Sequence, residues 1–154
     1  MQLEHSSLMS KKRAIIFDID GTLAHMKGRI SRWGKSAAPF QDQDAHDDLI
    51  DEHVAHMVRT LASDFAIIIC SGRKDSSQDI LERWLCHFDI PFSDLYMRKH
   101  DDNRKDSVVK REIYETKIEP KYDVWLVFDD RDQVVEMWRN ELGLKCFQVA
   151  EGAF

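Results

Sequence analysis

The chain has 154 residues, of which 32% are charged, and a formal net charge of −6 at pH 7. This length suits one domain with a substantial core, and the negative charge argues against a protein that coats nucleic acid through bulk electrostatics, although it allows a local basic groove. The sequence has no apolar run long enough to cross a membrane, and residues 1–10 lack the apolar core of a signal peptide. Cys70, Cys86 and Cys146 have no metal-binding spacing and are odd in number, so we expect a cytoplasmic protein without a complete disulfide framework.

Strands and helices are predicted to alternate along the chain after a flexible terminus over residues 1–11, in one folded domain over residues 12–154. In chain order the predicted elements are a strand over 13–18, a loop or small flap over 22–43, a helix over 44–63, a strand over 65–70, a helix over 77–88, a short strand over 95–97, a helix over 106–116, a strand over 124–128, a helix over 133–142 and a strand over 144–149. This alternation is typical of an α/β fold, a Rossmann-like three-layer sandwich with a central parallel sheet.

Two neighbouring segments follow the first predicted strand. Gly28, Gly34 and Pro39 interrupt residues 22–43, whose apolar residues show poor periodicity, so this segment is predicted to be a loop or small flap. Residues 44–63 are predicted to form one helix, because apolar residues recur every three to four positions and acidic residues lie near the start. With roughly twenty residues between the two predicted elements, we expect a minimal flap, no large cap and an open site.

Acidic and hydroxyl side chains follow three of the predicted strands. They are Asp18 and Asp20 after the first strand, Ser71 after the second, and Asp129 and Asp130 after the fourth. Because the carboxyl ends of parallel strands lie along one edge of a sheet, where open α/β folds bind their ligands, we expect these side chains to share a site. Each also has an ordinary structural explanation, since aspartate and serine cap turns and acidic residues favour the first turn of a helix.

A phosphoryl group suits this set of side chains, because its phosphorus needs a nucleophile and its leaving oxygen needs a proton. Asp18 is the candidate nucleophile and would form an aspartyl-phosphate. Asp20 would protonate the leaving oxygen and then activate the water that hydrolyses the intermediate. Asp130, with Asp18 and the backbone carbonyl of Asp20, is a candidate ligand of Mg²⁺, a hard cation that prefers oxygen. Ser71 would hydrogen-bond a phosphate oxygen, and a lysine would neutralise charge.

Four motifs of the chain resemble the four signatures of the haloacid-dehalogenase phosphatase superfamily. They are Asp18-Ile19-Asp20-Gly21-Thr22, Ser71-Gly72-Arg73, Lys110 and Asp129-Asp130. Longer stretches are similar to the 3′-phosphatase domain of phage polynucleotide kinase/phosphatases, namely residues 17–24 with Gly28 and Arg29, 104–110, 128–139 and 146–154. The resemblance covers residues 12–154 and implies a haloacid-dehalogenase-like fold.

The resemblance also implies a function and a set of site residues. Domains of this family remove 3′-phosphates from nucleic-acid ends, and commonly open 2′,3′-cyclic phosphates, with Asp18 expected as the nucleophile and Asp20 as the general acid/base. The other implied roles are Mg²⁺ binding by Asp18, Asp20 and Asp130 with Asp129 close by, phosphate or rim contacts from Arg29, Ser71, Gly72, Arg73, Arg98 and Lys110, and support from Asp106. The implied partners are 3′-phosphorylated DNA or RNA ends and a kinase or ligase of the same repair pathway.

The flap carries residues that suit a single nucleic-acid strand. Arg29, Arg32 and Lys35 supply charge, and Trp33 offers a surface on which a base stacks. The alternative is a solvated flap with Trp33 packed on the core, and the sequence leaves both interpretations open.

Two further patterns imitate functional motifs. Residues 28–36 resemble a P-loop, but the spacing is one residue too long and no strand directly precedes it, so we reject a nucleotide-binding loop there. Helical spacing places His53 and His56 together, and we expect a solvated helix face there rather than a metal site.

The predicted function is a Mg²⁺-dependent polynucleotide 3′-phosphatase acting through an aspartyl-phosphate. A phosphatase of a small phosphorylated metabolite and a phosphotransferase are the enzyme alternatives. A catalytically inert module that binds nucleic-acid ends is the alternative from another class, although its expected signature, loss of Asp18 or Asp20, is absent from this sequence. The sequence leaves open the preference for RNA or DNA.

Overall fold

A parallel sheet lies at the centre of the computed structural model, which describes residues 10–38 and 42–154. In chain order the strands are β1 (Lys12–Phe17), β2 (Ala24–His25), β3 (Leu49–Ile50), β4 (Ala66–Lys74), β5 (Asp94–Arg98), β6 (Tyr122–Asp129) and β7 (Cys146–Gln148). The helices are α1 (Lys27–Ala37), α2 (Glu52–Leu61), α3 (Gln78–His87), α4 (Asp106–Ile113) and α5 (Asp132–Glu136). The predicted flexible terminus lies, up to residue 9, outside the described residues.

The central sheet has the strand order β5-β4-β1-β6-β7, and every neighbouring pair in it is parallel. Side chains of β1 alternate between its two faces, so Ile15 and Phe17 belong to one apolar cluster and Ile16 belongs to the other. Helices α2 and α3 pack on the first face, and α4 and α5 with their following turns pack on the second. The predicted three-layer sandwich is therefore confirmed, with β1 buried between the layers.

The segment over residues 22–43, predicted to be a loop or small flap, is a flap with secondary structure of its own. It contains β2 and α1, while residues 39–41 lie outside the described part. The helix inside the flap was not predicted because α1 has a mostly polar sequence and a kink at Gly34, where φ is 78°, so it lacks the apolar periodicity of a core helix. Its position depends instead on the buried side chain of Arg29, a long-range contact that local pattern does not reveal.

The prediction of a single helix over residues 44–63 is wrong for the first half of that segment. A short 3₁₀ helix (Asp42–Asp47) and β3 come first, and β3 pairs antiparallel with β2. Helix α2 begins only after Asp51, whose Oδ1 accepts hydrogen bonds from the backbone N–H groups of His53 (3.0 Å) and Val54 (3.1 Å). This side chain caps the helix N-terminus and fixes its start.

The remaining predicted elements are confirmed with shifted ends. Strand β4 continues through residues 71–74, and β6 begins two residues earlier than predicted. Helices α4 and α5 each end in a π-helical turn, Tyr114–Ile118 and Met137–Glu141. Gly143 stops the last helical segment with a φ of 67°, as its position predicts.

The connection between β1 and α2 is a small flap made of β2, α1, the 3₁₀ helix and β3. It confirms a minimal flap without a large cap. In the described part of the chain, the helices are all too short or too polar to span a bilayer.

Candidate active site

The ammonium group of Lys110 joins carboxylates from two strand ends. Asp18 directly follows β1 and Asp129 is the last residue of β6, so both stand at the carboxyl edge of the sheet. Lys110 Nζ, on α4, lies 2.7 Å from Asp18 Oδ1 and 2.9 Å from Asp129 Oδ2. All three residues are buried. The predicted convergence of strand-end residues is present in the structure.

Burial sets the charge balance of this cluster. It raises the pKa of Asp18 well above its ordinary value, against the opposing effect of Lys110. Burial alone would lower the pKa of Lys110, but Asp129 and Asp18 outweigh it and hold that pKa well above its usual range. Burial and the neighbouring Asp129 raise the pKa of Asp130 to about 6. One buried ammonium therefore faces an excess of carboxylates, a setting that favours a further cation.

The donor atoms of the cluster fit a hard divalent cation. Asp18, Asp129 and Asp130 each offer a carboxylate oxygen, and these oxygens lie within 4.8 Å of one another. Gly21 keeps room beside them, because a Cβ there would lie 2.0 Å from Asp130 Oδ2. Of the predicted metal ligands, Asp18 and Asp130 lie together in the structure, and Asp129 lies with them. Metal binding by Asp20 through its backbone carbonyl stays a prediction.

The carboxylate of Asp20 faces two arginines instead of the acidic cluster. Arg73 donates to it from Nη2 (2.6 Å to Oδ1) and Nε (3.1 Å to Oδ2), and Arg29 Nη2 lies 2.9 Å from Oδ1. Burial alone would raise the pKa of Asp20, but Arg73 and then Arg29 outweigh it, and the pKa is lowered. Asp18 and Asp20 thus have opposite electrostatic surroundings although one residue separates them.

Asp48 is a site residue that the sequence did not reveal. Its buried carboxylate accepts from Arg29 Nε (3.0 Å) and Nη2 (2.8 Å) and from Arg73 Nη2 (2.7 Å). Its backbone carbonyl accepts from Trp84 Nε1 at 2.9 Å. Burial raises the pKa of Asp48, against the effect of both arginines. Nothing in the local sequence distinguishes it from the exposed Asp47.

The Ser71-Gly72-Arg73 motif lies at the end of β4 and is held by a hydrogen bond and by close packing against α4. Ser71 is fully buried, and its Oγ accepts a hydrogen bond from the backbone N–H of Arg73 at 3.1 Å. Gly72 allows α4 to approach, because a Cβ there would lie 2.3 Å from Asp106 Oδ1. Direct contact of Ser71 with a phosphate stays a prediction.

Arg98 ties the neighbouring loop to the sheet. Its Nε donates to the carbonyl of Gly72 (2.9 Å), and its Nη1 donates to the carbonyl of Arg104 (2.6 Å). Its Nη2 lies 3.2 Å from Asp106 Oδ1, and Asp106 Oδ2 lies 3.7 Å from Lys110 Nζ. With Arg131 Nη1 at 3.8 Å from its Oδ2, Asp106 contacts three basic side chains, as a supporting acid would, and Arg98 holds the cleft rim in shape.

A cleft of about 480 Å³ opens over these residues. The acidic side chains that line it are those of Asp18, Asp20, Asp102, Asp106 and Asp130. Basic side chains line its walls together with Phe154, namely Arg73, Lys74, Arg98, Arg104, Lys105 and Arg131. The cleft therefore combines carboxylates that could hold a metal ion with a set of basic side chains, of which Arg98 and Arg104 are paired with acidic neighbours.

The exposed flap residues Arg32 and Trp33 pair with an acidic residue of the flap itself, and stacking of a base on Trp33 stays a prediction. Trp33 is 47% exposed, so it is not packed in the core, and its Nε1 donates to Asp44 Oδ2 at 2.7 Å. Arg32 pairs with the same Asp44 at 3.1 Å. Neither Trp33 nor Arg32 is among the residues that line the cleft. Arg29 is buried against Asp20 and so does not add charge to the flap surface.

Both rejected motifs are ruled out by their positions. Residues 28–36 lie within α1 and form no phosphate-binding loop after a strand. His53 and His56 are exposed on α2. Within residues 10–38 and 42–154, the group of possible metal ligands is the acidic cluster at the sheet edge.

Fold and site together define a phosphatase of the haloacid-dehalogenase type. Structures related only in fold include the class C acid phosphatase from Bacillus anthracis, which is 17% identical with a TM-score of 0.68 and is matched over 94% of this chain and 69% of that one. A family model for the polynucleotide kinase PNKP phosphatase domain matches residues 12–154. The chain belongs to this family of phosphatase domains, which confirms the resemblance seen in the sequence.

More similar relatives are larger proteins. A viral protein of Autographa californica nuclear polyhedrosis virus, described as a candidate bifunctional polynucleotide kinase/RNA ligase, is 35% identical over 131 residues, which are 83% of this chain and 18% of that protein. Two structures of a Pnkp1/Rnl/Hen1 complex, one described as an RNA repair complex, contain a chain that is 36% identical over 99% of this chain, with TM-scores of 0.86 and 0.87. This chain spans 49% and 53% of the chains in those structures.

Proposed function

We propose that the chain is a Mg²⁺-dependent polynucleotide 3′-phosphatase that acts through an aspartyl-phosphate on Asp18, in nucleic-acid end repair. The observation that carries this proposal is the contrast between Asp18, bound to Lys110, and Asp20, bound to Arg73 and Arg29. Two neighbouring carboxylates whose surroundings push their pKa values apart are suited to separate catalytic roles.

In the first step, a carboxylate oxygen of Asp18 attacks phosphorus and the bond from phosphorus to the 3′ oxygen breaks. Lys110, 2.7 Å from Asp18, compensates the charge at the nucleophile. The bound phosphate competes with Asp20 for the guanidinium of Arg73, which raises the pKa of Asp20 and favours its protonated form. Protonated Asp20 then donates its proton to the leaving 3′ oxygen.

In the second step, water attacks the phosphorus of the aspartyl-phosphate and releases inorganic phosphate. Asp20, now ionised, removes a proton from that water. When inorganic phosphate leaves, Asp20 releases this proton to solvent and, ionised again, regains its contacts with the arginines. Asp18 is restored as a free carboxylate. A Mg²⁺ ion held by Asp18, Asp129 and Asp130 would neutralise phosphate charge during both steps. The same two steps also remove the phosphate that remains after a 2′,3′-cyclic end is opened.

A nucleic-acid end fits the site better than a small metabolite. The flap is small, so the cleft is open to a long chain, and Lys74 and Lys105, which line it, attract backbone phosphates. The relatives are described as a polynucleotide kinase/RNA ligase and as part of an RNA repair complex. These descriptions support nucleic-acid ends, with RNA as the first substrate to test.

We further propose that the domain acts beside a kinase or ligase of the same pathway. Support comes from the larger relatives, in which the matched region is 18% of the viral protein and about half of the structural relatives' chains. A reducing compartment such as the cytoplasm suits the three free thiols of Cys70, Cys86 and Cys146.

The test compares phosphate release from a 3′-phosphorylated oligonucleotide and its 5′-phosphorylated isomer, with Mg²⁺ or EDTA. We expect release from the 3′ end alone, only with Mg²⁺, and no release by Asp18→Asn. Asp79→Asn is the matched control, because Asp79 is an exposed acid on α3 that pairs with Arg83 at 3.3 Å. Release from a small phosphomonoester but from neither oligonucleotide would reject the nucleic-acid substrate.

A further inference from the structure

Phe154 exposes an aromatic ring beside the catalytic carboxylates. Its side chain is 63% exposed, yet it lines the same cleft as Asp18 and Asp20. Among the described residues that line this cleft, Phe154 is the one aromatic side chain and Met26 is the one other large apolar side chain. Covering the exposed ring with an apolar face is energetically favourable, because it removes apolar surface from water.

The segment that carries this ring is fixed to the acidic loop after β6. Gly152 packs so closely that a Cβ there would lie 2.1 Å from the carbonyl oxygen of Asp130. The carbonyl of Gly152 accepts from the backbone N–H of Asp132 at 2.9 Å. The position of the ring is therefore linked through the backbone to that of a proposed metal ligand.

Arg131 holds the residue from two sides. Its Nε donates to the carbonyl of Phe154 at 2.9 Å, and its guanidinium carbon lies 5.0 Å from the centroid of the Phe154 ring. This cation–π contact covers one face of the ring. Because the backbone of Phe154 is hydrogen-bonded and one face of its ring is covered, the residue loses little conformational freedom when a ligand stacks on the other face.

We propose that Phe154 is a stacking platform for the nucleobase of the 3′-terminal nucleotide while its 3′-phosphate lies against Asp18. This inference rests on the proposed function, because it assigns the base-binding part of the same site. Stacking on an aromatic ring tolerates every base, which suits an enzyme that acts on ends of any sequence. The structure thus places the stacking surface on Phe154 rather than on Trp33, which lies outside the cleft lining.

The test uses two 3′-phosphorylated oligonucleotides that differ only in their last nucleotide, which carries a base in one and is abasic in the other. We expect Phe154→Ala to raise KM for the substrate with a base by roughly 5- to 150-fold, the range for losing one base–aromatic stack, and to leave KM for the abasic substrate at the wild-type value. Phe154→Trp should restore the low KM. The control is Phe92→Ala, which removes a 37% exposed ring on the loop before β5.

The outcomes separate this inference from the proposed function. Equal KM changes on both substrates would show that Phe154 only supports the Arg131 loop and would overturn the stacking role. An unchanged KM in Phe154→Ala, or a base-dependent loss in Trp33→Ala instead, would overturn it as well. In each case the wild-type enzyme still releases 3′-phosphate. No hydrolysis of either oligonucleotide by the wild type would reject the proposed function, and the stacking role with it.

Discussion

Asp20 and Asp48 are held by the same two arginine side chains. Arg29 Nη2 lies 2.9 Å from Asp20 Oδ1 and 2.8 Å from Asp48 Oδ2, and Arg73 Nη2 lies 2.6 Å and 2.7 Å from the same two atoms. Asp48 comes from the flap, whereas Arg73 comes from the end of β4. The network therefore fastens the flap to the sheet and directs both guanidinium groups to the carboxylate of Asp20.

Replacing Asp48 should destabilise the protein and impair catalysis together. Asp48→Ala leaves two buried guanidinium groups short of a carboxylate, so we expect a loss of about 3–5 kcal/mol in the free energy of unfolding. Urea denaturation measures this loss, and steady-state kinetics should show a lower kcat. Asp47→Ala is the control, because Asp47 is 52% exposed and pairs with Arg32 at 3.7 Å. Equal stability of the two variants would contradict the role given to Asp48.

Two glycines with similar backbone angles should respond differently to alanine. Gly21 and Gly143 have φ values of 81° and 67°, so either substitution costs about 1–2 kcal/mol of backbone strain. At Gly21 the new Cβ would also lie 2.0 Å from Asp130 Oδ2, whereas nothing lies within 4 Å at Gly143. We expect both variants to lose stability in urea but only Gly21→Ala to lose the rise in Tm that Mg²⁺ produces. If Mg²⁺ still raised the Tm of Gly21→Ala, Asp130 would not take part in binding the metal.

Removing the ammonium of Lys110 should unbalance the buried acidic cluster. Lys110→Ala leaves Asp18 and Asp129 without their buried cation, and we expect about 3–5 kcal/mol lower unfolding free energy in EDTA. Phosphate release should also fall sharply, because the nucleophile loses its positioning contact. Lys117→Ala, at an exposed position, is the control. A Lys110→Ala protein as stable as the wild type would show that the buried carboxylates do not depend on this lysine for stability.

The three cysteines should differ in reactivity. Cys86 is exposed, whereas Cys70 and Cys146 are buried, and burial raises the pKa of Cys146 to about 12 and that of Cys70 even further. Since the thiolate is the reactive form, we expect a thiol reagent at mildly alkaline pH to modify one site in the native protein. Peptide mapping should identify Cys86, and Cys86→Ser should abolish the fast reaction. Fast labelling of Cys146 in the native protein would contradict its burial.

Local sequence pattern was sufficient for the sheet and for the strand-end carboxylates. The apolar runs before Asp18 and Asp129 specify buried parallel strands, and strand direction then brings their ends together. Local pattern failed in the flap, where α1 is held by Arg29 and its distant partners. The selection of Asp48 from an acidic segment depends on two arginines that approach from different parts of the fold, so no local signal marks it.

Trp33 and Phe154 show the same limit at the surface. Both are exposed aromatic residues. The sequence left both stacking and core packing open for Trp33, and it gave no reason to select Phe154. Only the folded chain shows that Phe154 lines the cleft and that Trp33 does not.

The central claim is that Asp18 carries the phosphoryl group during removal of a 3′-phosphate. The most direct measurement mixes the enzyme with an oligonucleotide carrying a radiolabelled 3′-phosphate, quenches the reaction in acid within one turnover and maps the labelled peptide. We expect label that hydroxylamine removes, located on the peptide containing Asp18 and absent from Asp18→Asn. Phosphate release at the wild-type rate with no label on the protein at any time, or label on another residue, would contradict it.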